Sequence, residues 1–231
     1  MIDNKNILLG VSGGIACYKT LELCSRLVKK NVNIKVIMTE SAKEFVRPVT
    51  FETMAKGLVY SDMWEGHHEE VHHIELPKWA DLMLIAPASA STIGKMANGI
   101  ADNFLIASYL ACQKDVIIAP SMNTQMLLNP ATQRNLQTLR EYGVKVIAPE
   151  SGVLACNTVG DGRMEEPKNI VKYLEDYFTD KDLVGKKIIV SAGPTIEPID
   201  YVRYITNHSS GKMGYNIANE AKKRGADVIL V

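Results

Sequence analysis

Three stretches of the sequence hold side chains that could take part in proton transfer, nucleophilic attack or carboxylate binding. The first, EGHHEEVHHIELPKWAD, contains four of the five histidines. The second, residues 120–126 (PSMNTQM), offers the amide of Asn123, which can hydrogen-bond a carboxylate. The third, residues 150–164, is long, polar and punctuated by glycine, and it holds Cys156 and the anion-binding side chain of Arg163. Such a loop in a compact domain is usually functional or disordered.

The histidine-rich stretch spells HExxH from His68 to His72, which is the zinc metalloprotease pattern. That pattern needs a helix that places both histidines on one face, and a third ligand further along the chain. Gly66 and Pro77 lie close on either side and argue against such a helix. We therefore predict no metal site. Two interpretations stay open: a solvated polar loop, or an active-site position for His73.

A glycine turn follows the first predicted strand, Asn6 to Leu9. Ser12, Gly13 and Gly14 lead from this strand into a helix. A tight turn before a helix directs backbone N–H groups outward, as in phosphate-binding loops. The turn is neither GxGxxG nor a P-loop with Lys-Ser/Thr, so an ordinary βα turn explains it equally well.

A second candidate loop follows the strand from Leu82 to Ala86, which is apolar throughout. Pro87 lacks an N–H and is predicted to end that strand. The small residues ASAST follow, and the hydroxyl of Ser89 or the N–H groups of the next helix can bind a phosphate or a ring edge. Thr39, at the end of the second strand, is predicted to face the same rim. An ordinary loop with a serine cap is equally consistent with these residues.

Short apolar strands alternate with helices along most of the chain. This pattern predicts an α/β fold with a doubly wound, flavodoxin-like or Rossmann-like parallel sheet and helices on both faces. In the first helix, Cys17, Leu21, Cys24 and Val28 have the spacing of one buried face. The carboxyl ends of parallel strands meet at one edge of such a sheet, where ligands bind. The candidate residues are therefore expected to gather at that edge.

A charged linker from Asp180 to Gly185 separates this pattern from a new strand, a turn-rich segment, a helix and a last strand. One βαβ unit cannot cover both faces of a parallel strand pair. We therefore predict one domain over residues 1–180, and a linker with the first βαβ unit of a second α/β domain over residues 181–231.

Composition excludes several classes of protein. The 231 residues include 26 basic and 26 acidic side chains, which argues against non-specific binding to nucleic acid or to an anionic membrane. No apolar run approaches the roughly 20 residues needed to span a bilayer. The N-terminus lacks a signal-peptide pattern. The four cysteines are scattered without a CxxC pair, which is typical of a reduced, cytoplasmic protein.

Taken together, these stretches resemble the flavin-dependent cysteine decarboxylases, in particular those fused to a phosphopantothenate–cysteine ligase. The resemblance covers essentially the whole chain, and Ser91 stands where the family usually has Asn. The motifs that carry it are GVSGGIA (10–16), His73-Ile74, PASAST (87–92), PSMNTQM (120–126), the clamp-like segment that ends in GDGRM (160–164), and NHSSGKMG (207–214) from the ligase opening. Five motifs in order, with the ligase opening, are far more specific than any one of them.

The resemblance implies FMN-dependent oxidative decarboxylation of 4′-phosphopantothenoylcysteine, followed by reduction to 4′-phosphopantetheine in coenzyme A biosynthesis. His73 is expected to be the base or orienting group, Asn123 to hold the substrate carboxylate, and Cys156 to donate the final proton. The other expected site residues are Met126, Arg163 and Met164 for the substrate; Ser12, Gly13, Gly14, Thr39, Pro87, Ser89, Ala90 and Ser91 for FMN; and Asn207, Ser209, Ser210, Gly211 and Lys212 for the ligase fragment.

The family also implies a homotrimer or a trimer-based dodecamer with flavin at the subunit interface. CTP and Mg²⁺ are expected only for a complete ligase domain, and ligase activity is not expected from this chain. Alternatives are a peptidyl-cysteine decarboxylase that stops at an enethiol, a non-catalytic regulatory flavoprotein, a nicotinamide dehydrogenase and a zinc hydrolase. Cys156 and the ligase opening argue against the first, and His73 argues against the second.

Overall fold

The computed structural model of the protein describes residues 2–62, 72–153 and 159–231. Within these residues the chain forms two compact units, one up to Leu174 and one from Glu175 to Val231. The strands are β1 (Asn6–Val11), β2 (Asn33–Met38), β3 (Val59–Tyr60), β4 (Leu82–Ala88), β5 (Val116–Pro120), β6 (Lys145–Val146), β7 (Glu150–Val153), β8 (Val159–Arg163), β9 (Lys187–Val190), β10 (Ile196–Pro198), β11 (Tyr204–Thr206) and β12 (Asp227–Leu230). The helices are α1 (Cys17–Val28), α2 (Glu40–Lys43), α3 (Pro48–Ala55), α4 (His72–Trp79), α5 (Ala90–Asn98), α6 (Phe104–Leu110), α7 (Thr124–Leu128), α8 (Pro130–Glu141), α9 (Pro167–Tyr177) and α10 (Lys212–Lys223).

The first unit is built on a six-stranded sheet in the order β3-β2-β1-β4-β5-β6. All of its strand pairs are parallel, and Leu9 lies between Val36 on one side and Leu84 on the other. All seven residues of β4 are buried, because helices cover a parallel sheet on both faces. The predicted doubly wound sheet is therefore confirmed. The strand order reverses direction between β1 and β4, which places the ligand-binding crevice of such folds at their carboxyl ends.

Helix α1 buries a face that differs slightly from the predicted one. Cys17 and Cys24 are fully buried as expected, but Leu21 and Val28 are only half-buried. The buried face is centred instead on Thr20, Leu23 and Leu27, and it includes Lys19. The apolar spacing identified the helix, whereas the contacts of the sheet set its rotation.

The prediction that Pro87 ends the fourth strand is wrong. Strand β4 continues to Ala88, which pairs with Pro120 across a register shift after Ile85. Proline removes only the N–H donor, and the Pro87 carbonyl accepts a hydrogen bond from the Ser12 N–H at 3.3 Å. The strand therefore tolerates the proline at an irregular position close to its carboxyl end.

The stretch from Glu150 onward was predicted to be one long loop, and this is also wrong. Strands β7 and β8 form an antiparallel pair in which Val153 lies opposite Val159. Strand β8 packs against the segment before α7, where the Met122 N–H donates to the Gly162 carbonyl at 2.9 Å. Gly162 has φ = +130°, and a side-chain carbon there would lie 2.3 Å from the Met122 carbonyl oxygen. Glycine thus permits both the backbone conformation and the close approach.

The second unit contains a parallel pair, β9 and β12, with α10 between them in sequence. It also contains the antiparallel pair β10 and β11, where the sequence predicts only a turn-rich segment. Residues 196–198 and 204–206 are all exposed, so these strands lack the apolar alternation that identifies a half-buried strand. Across the described ranges, no helix is long and apolar enough to cross a membrane.

Candidate functional site

A cavity of about 570 Å³ opens where β1 and β4 end. Four segments form its walls: the turn into α1, the turn into α5, the loop from β5 into α7, and the end of β8. Its lining residues are Gly13, Gly14, Ile15, Ala16, Tyr18, Lys19, Ser89, Ala90, Ser121, Met122, Asn123, Met126, Gly162, Arg163 and Met164. This volume lies in the range of ~300–1,000 Å³ typical of small-molecule and cofactor sites.

The cavity brings together eight of the residues predicted from the sequence. They are Gly13, Gly14, Ser89 and Ala90 from the expected flavin set, and Asn123, Met126, Arg163 and Met164 from the expected substrate set. The first and last of these residues, Gly13 and Met164, are 151 positions apart in sequence. They meet because the carboxyl ends of parallel strands lie at one edge of the sheet.

Ser12 and Pro87 lie beneath the cavity wall. The Ser12 hydroxyl donates to the Pro87 carbonyl at 2.8 Å and accepts from the Ser89 N–H at 2.8 Å. Ser12 is only 1% exposed, so this hydroxyl joins the ends of β1 and β4. It positions Ser89, whose own hydroxyl accepts from the Thr92 N–H and caps α5.

The two glycines of the first turn have different surroundings. A side-chain carbon at Gly13 would lie 2.6 Å from the Ser41 side chain and 2.8 Å from its backbone carbonyl carbon. Gly13 therefore allows the β1–α1 turn to pack on the β2–α2 turn, where the Thr39 hydroxyl lies 3.2 Å from that of Ser41. Among the described residues, none would lie within 4 Å of a side-chain carbon at Gly14, so the backbone there faces open space within this part of the structure.

Asn123 begins helix α7. Its side-chain oxygen accepts from the Gln125 N–H at 2.8 Å, which makes it the helix cap. This contact fixes the orientation of the amide, whose side-chain nitrogen is a hydrogen-bond donor. Met126 lies one turn further along α7, and its side chain is 50% exposed at the cavity wall.

His73 is not among the described residues that line the cavity. It lies in the first turn of α4, half-buried, with its ring packed edge-on against Phe104 at 6.4 Å between ring centroids. Ser91 is exposed on α5 and Thr39 lies at the end of β2, and neither contributes to the cavity lining.

The HExxH interpretation falls largely on residues that the structure does not describe, since only His72 of that motif is placed. Among the residues that are described, no cluster of histidine, cysteine and acidic side chains could hold a metal ion. Cys156 also lies outside the described residues. The other three cysteines are free, and burial raises the pKa of the Cys17 and Cys112 thiols and raises that of Cys24 to about 12.

Sequence reasoning missed Lys19, a cavity residue that is only 4% exposed. Its ammonium donates to the Met164 carbonyl and to the Glu166 carboxylate, each at 2.9 Å. This hydrogen bond to Lys19 is the main cause that lowers the pKa of Glu166 below its usual value, and the charges of Lys19 and Arg163 act in the same direction. The only sequence signal is a lysine beside the otherwise mostly apolar buried face of the amphipathic helix α1.

The expected residues of the ligase fragment lie in the second unit and form a turn before α10. The Ser209 N–H donates to the Asn207 side chain at 2.9 Å, and the Gly211 N–H donates to the Ser209 hydroxyl at 3.3 Å. Gly211 has φ = +71° and immediately precedes Lys212, the first residue of the helix; Ser210 is exposed within the same turn. A side-chain carbon at Gly214 would lie 2.6 Å from that of Ala192, so glycine allows close helix–strand packing.

A parallel sheet with a cavity at its switch point is typical of α/β proteins that bind nucleotide-type cofactors. Residues 1–179 match the family described as Flavoprotein. Residues 183–231 match the family described as DNA/pantothenate metabolism flavoprotein C-terminal domain. The chain belongs to the Flavoprotein family, which indicates a flavin cofactor.

Individual relatives agree with this assignment. The chain is 50% identical over 235 residues to the coenzyme A biosynthesis bifunctional protein CoaBC of Bacillus subtilis (strain 168), an alignment that covers 100% of this chain and 58% of the relative. The chain thus spans less than two thirds of the length of the curated relatives it matches.

Two solved structures share the fold of the first unit. A PPC decarboxylase with a cysteine-to-serine substitution, complexed with pantothenoylaminoethenethiol, is 34% identical with a TM-score of 0.70, and the match covers 76% of this chain and 98% of that one. The FMN binding protein AtHal3 is 34% identical with a TM-score of 0.68, and the match covers 76% of this chain and 97% of that one.

The residues around the cavity fit a flavin. Ile15 and Met126 present large apolar side chains to it, 59% and 50% exposed, which suit the faces of a planar aromatic ring. The N-terminal turns of α1 and α5 border the same cavity and offer backbone N–H groups to an anionic tail. Gly14 leaves open space in front of its backbone, so a ligand can approach it closely.

Proposed function

We propose that this chain catalyses the FMN-dependent decarboxylation of 4′-phosphopantothenoylcysteine to 4′-phosphopantetheine, a carbon–carbon lyase reaction of coenzyme A biosynthesis. The observation that carries the proposal is that expected flavin residues and expected substrate residues line one and the same cavity. The similarity to CoaBC and to the PPC decarboxylase structure supports this substrate. The second family match, over residues 183–231, favours it over a peptide-modifying decarboxylase.

In this proposal FMN, when bound, supplies the redox chemistry that makes loss of CO₂ possible. The Asn123 side-chain nitrogen donates to the substrate carboxylate, and the cap to Gln125 holds the amide in that orientation. Arg163 offers a guanidinium in the cavity wall for an anionic group of the substrate. Met126 packs against the apolar part of the substrate and helps to exclude water.

Two residues handle protons. His73 acts as the base or orienting group, since an imidazole nitrogen can accept or donate a proton. The Cys156 thiol donates the last proton, and a thiol with an ordinary pKa of about 8.5 is mostly protonated at neutral pH, as an acid must be. The position of His73 outside the cavity lining is consistent with a site at a subunit interface, and we propose a homotrimer or a trimer-based dodecamer.

We further propose that residues 1–180 form the decarboxylase domain and that residues 181–231 form a linker and the N-terminal part of a phosphopantothenate–cysteine ligase domain. CTP and Mg²⁺ belong to the complete ligase domain. The proposed location is the cytoplasm, and the proposed partner is the small-molecule substrate, without nucleic acid or membrane.

The test is mass spectrometry of 4′-phosphopantothenoylcysteine incubated with the flavin-loaded protein. We expect the wild type to give 4′-phosphopantetheine, whereas Cys156→Ser should lose CO₂ but accumulate the oxidised enethiol. Cys112→Ser is the matched control, because that thiol lies outside the cavity lining, and it should behave as the wild type. A flavin-loaded wild type that releases no CO₂ from this substrate would refute the proposal.

A further inference from the structure

Lys19 has a charged side chain that is almost completely buried, and burial of a charge is costly because the charged group loses its hydration. Its side chain is 5% exposed, and a lysine is almost never buried to this degree without a partner. Its partners, the Met164 carbonyl and the Glu166 carboxylate, both lie at the junction of β8 and α9, about 145 residues further along the chain. Lys19 therefore joins the first helix of the unit to the wall of the cavity that holds Arg163.

The Glu166 carboxylate is shared between two cations. Its Oε1 atom accepts from the Lys19 ammonium at 2.9 Å and from the Arg163 guanidinium at 3.0 Å. Glu150, on β7, places a carboxylate oxygen 3.9 Å from Nε of Arg163. The cluster of Lys19, Arg163, Glu150 and Glu166 thus contains two positive and two negative side chains.

This balance matters because Arg163 lines the cavity and has two carboxylates beside it. Without Lys19, one arginine would face both carboxylates, and the cluster would carry a net negative charge. The cavity wall would then repel an anionic ligand, although Arg163 itself was unchanged. With Lys19 present, part of the Glu166 charge is neutralised by the lysine, and the guanidinium keeps donors and positive potential toward the cavity.

We propose that Lys19 is a positioning residue that sets the charge balance of this cluster and so keeps the Arg163 guanidinium available for an anionic group of the substrate. The proposal rests on the decarboxylase function proposed above. Lys19 acts through Glu166 and Arg163 and does not itself contact the reacting atoms. A purely structural ion pair would be replaced by apolar residues at little cost, often with a gain in stability.

The test compares the steady-state kinetics of four proteins on 4′-phosphopantothenoylcysteine: wild type, Lys19→Met, Lys19→Met/Glu166→Gln and Lys172→Met. We expect Lys19→Met to raise KM roughly tenfold with kcat changed little, which is the effect of losing one unit charge about 12 Å from the anionic group at an effective dielectric constant of about 20. In the double variant the charges of the cluster sum to zero again, and we expect its KM to lie within about threefold of the wild-type value. Lys172→Met removes one exposed lysine on α9 and should leave both constants unchanged.

A second measurement, independent of turnover, is the affinity of each protein for 4′-phosphopantothenate by calorimetry, with flavin content followed by absorbance. Flavin content should be the same in all four proteins, and affinity should follow 1/KM. A double variant as weak as Lys19→Met, or weaker, would overturn the charge-balance role. If Lys19→Met does not fold, Lys19→Gln, which keeps a donor for the Met164 carbonyl, replaces it. Absence of turnover by the wild type refutes the proposed function, whereas turnover with an unchanged KM in Lys19→Met refutes this inference alone.

Discussion

At the scale of single residues, two serines of the expected flavin set have different environments. The buried Ser12 hydroxyl makes two hydrogen bonds of 2.8 Å that join β1 to β4, whereas Ser91 is exposed on α5. Removal of the Ser12 hydroxyl leaves the part-buried Ser89 N–H without that acceptor. We expect Ser12→Ala to lower the free energy of unfolding by about 1–3 kcal/mol. For Ser91→Ala we expect a change within about 0.5 kcal/mol.

The measurement is urea unfolding of the flavin-free protein, followed by circular dichroism. The flavin-free protein is used because a hydroxyl that only binds flavin contributes nothing to the stability of the apoprotein. A loss of stability without flavin therefore reports a structural role. The structural role of Ser12 would be contradicted if the two variants were equally stable without flavin and Ser12→Ala were the less stable of the two only after flavin was added.

The sequence motifs predicted several of the residues that line the cavity, but not the contacts that each of them makes. Asn123, Met126 and Arg163 could be identified because their motifs carry distinctive side chains, and all three line the cavity. Lys19 could not be identified in this way, because a buried lysine is stable only when other groups accept its hydrogen bonds. Its acceptors, on Met164 and Glu166, lie 145 and 147 residues away in sequence. The structural role of Ser12 likewise depends on the proximity of Pro87, which only the sheet order creates.

At the scale of elements, strands with continuous apolar runs were predicted well, and paired strands without such runs were missed. Strands β1, β4 and β5 are buried and apolar, so their sequence reflects their position in the sheet. Strands β7 and β8 contain glycines and polar residues, and β10 and β11 are exposed. Neither pair shows the alternation of apolar and polar residues that identifies a strand in a sequence. Such alternation arises where one face of a strand packs against a core.

The pairing of β8 with the β5–α7 loop leads to a prediction about Gly162. An alanine there would adopt φ = +130° with its side-chain carbon 2.3 Å from the Met122 carbonyl oxygen. We expect Gly162→Ala to lower the unfolding free energy by about 1–3 kcal/mol, since both backbone strain and a steric overlap must be relieved. Hydrogen exchange of the Met122 amide, which donates to the Gly162 carbonyl, should become faster.

Gly152→Ala is the matched control on the partner strand β7. A side-chain carbon at Gly152 would lie 3.4 Å from the end of the flexible Arg163 side chain, which can move aside. Hydrogen-exchange mass spectrometry of both variants, together with their melting temperatures, tests the comparison. If the two alanine variants exchange and melt alike, the close packing of β8 on the loop before α7 is not what holds these strands in place.

At the scale of the whole molecule, the division of the chain predicts which part carries the chemistry. The cavity belongs entirely to the unit that ends at Leu174, and α9 contributes Ile170, Val171 and Leu174 to the buried core. Burial of each such side chain stabilises the fold by about 1.5–3 kcal/mol. A protein that ends after residue 180 keeps all of these residues, whereas one that ends after Glu166 loses them. The described residues that line the cavity all fall within residues 13–164.

A domain with its own core can function by itself. We therefore expect a protein of residues 1–180 to retain flavin, seen as visible absorbance after gel filtration. We also expect it to decarboxylate 4′-phosphopantothenoylcysteine with a kcat/KM within about threefold of that of the whole chain. Residues 1–166 should be recovered without flavin or as aggregate, because the exposed core surface that α9 covers promotes association. If residues 1–180 fold and bind flavin but lose turnover, then the second unit contributes to catalysis, and the proposed boundary separates folding units but not functions. If they lose flavin as well, the boundary at residue 180 is misplaced.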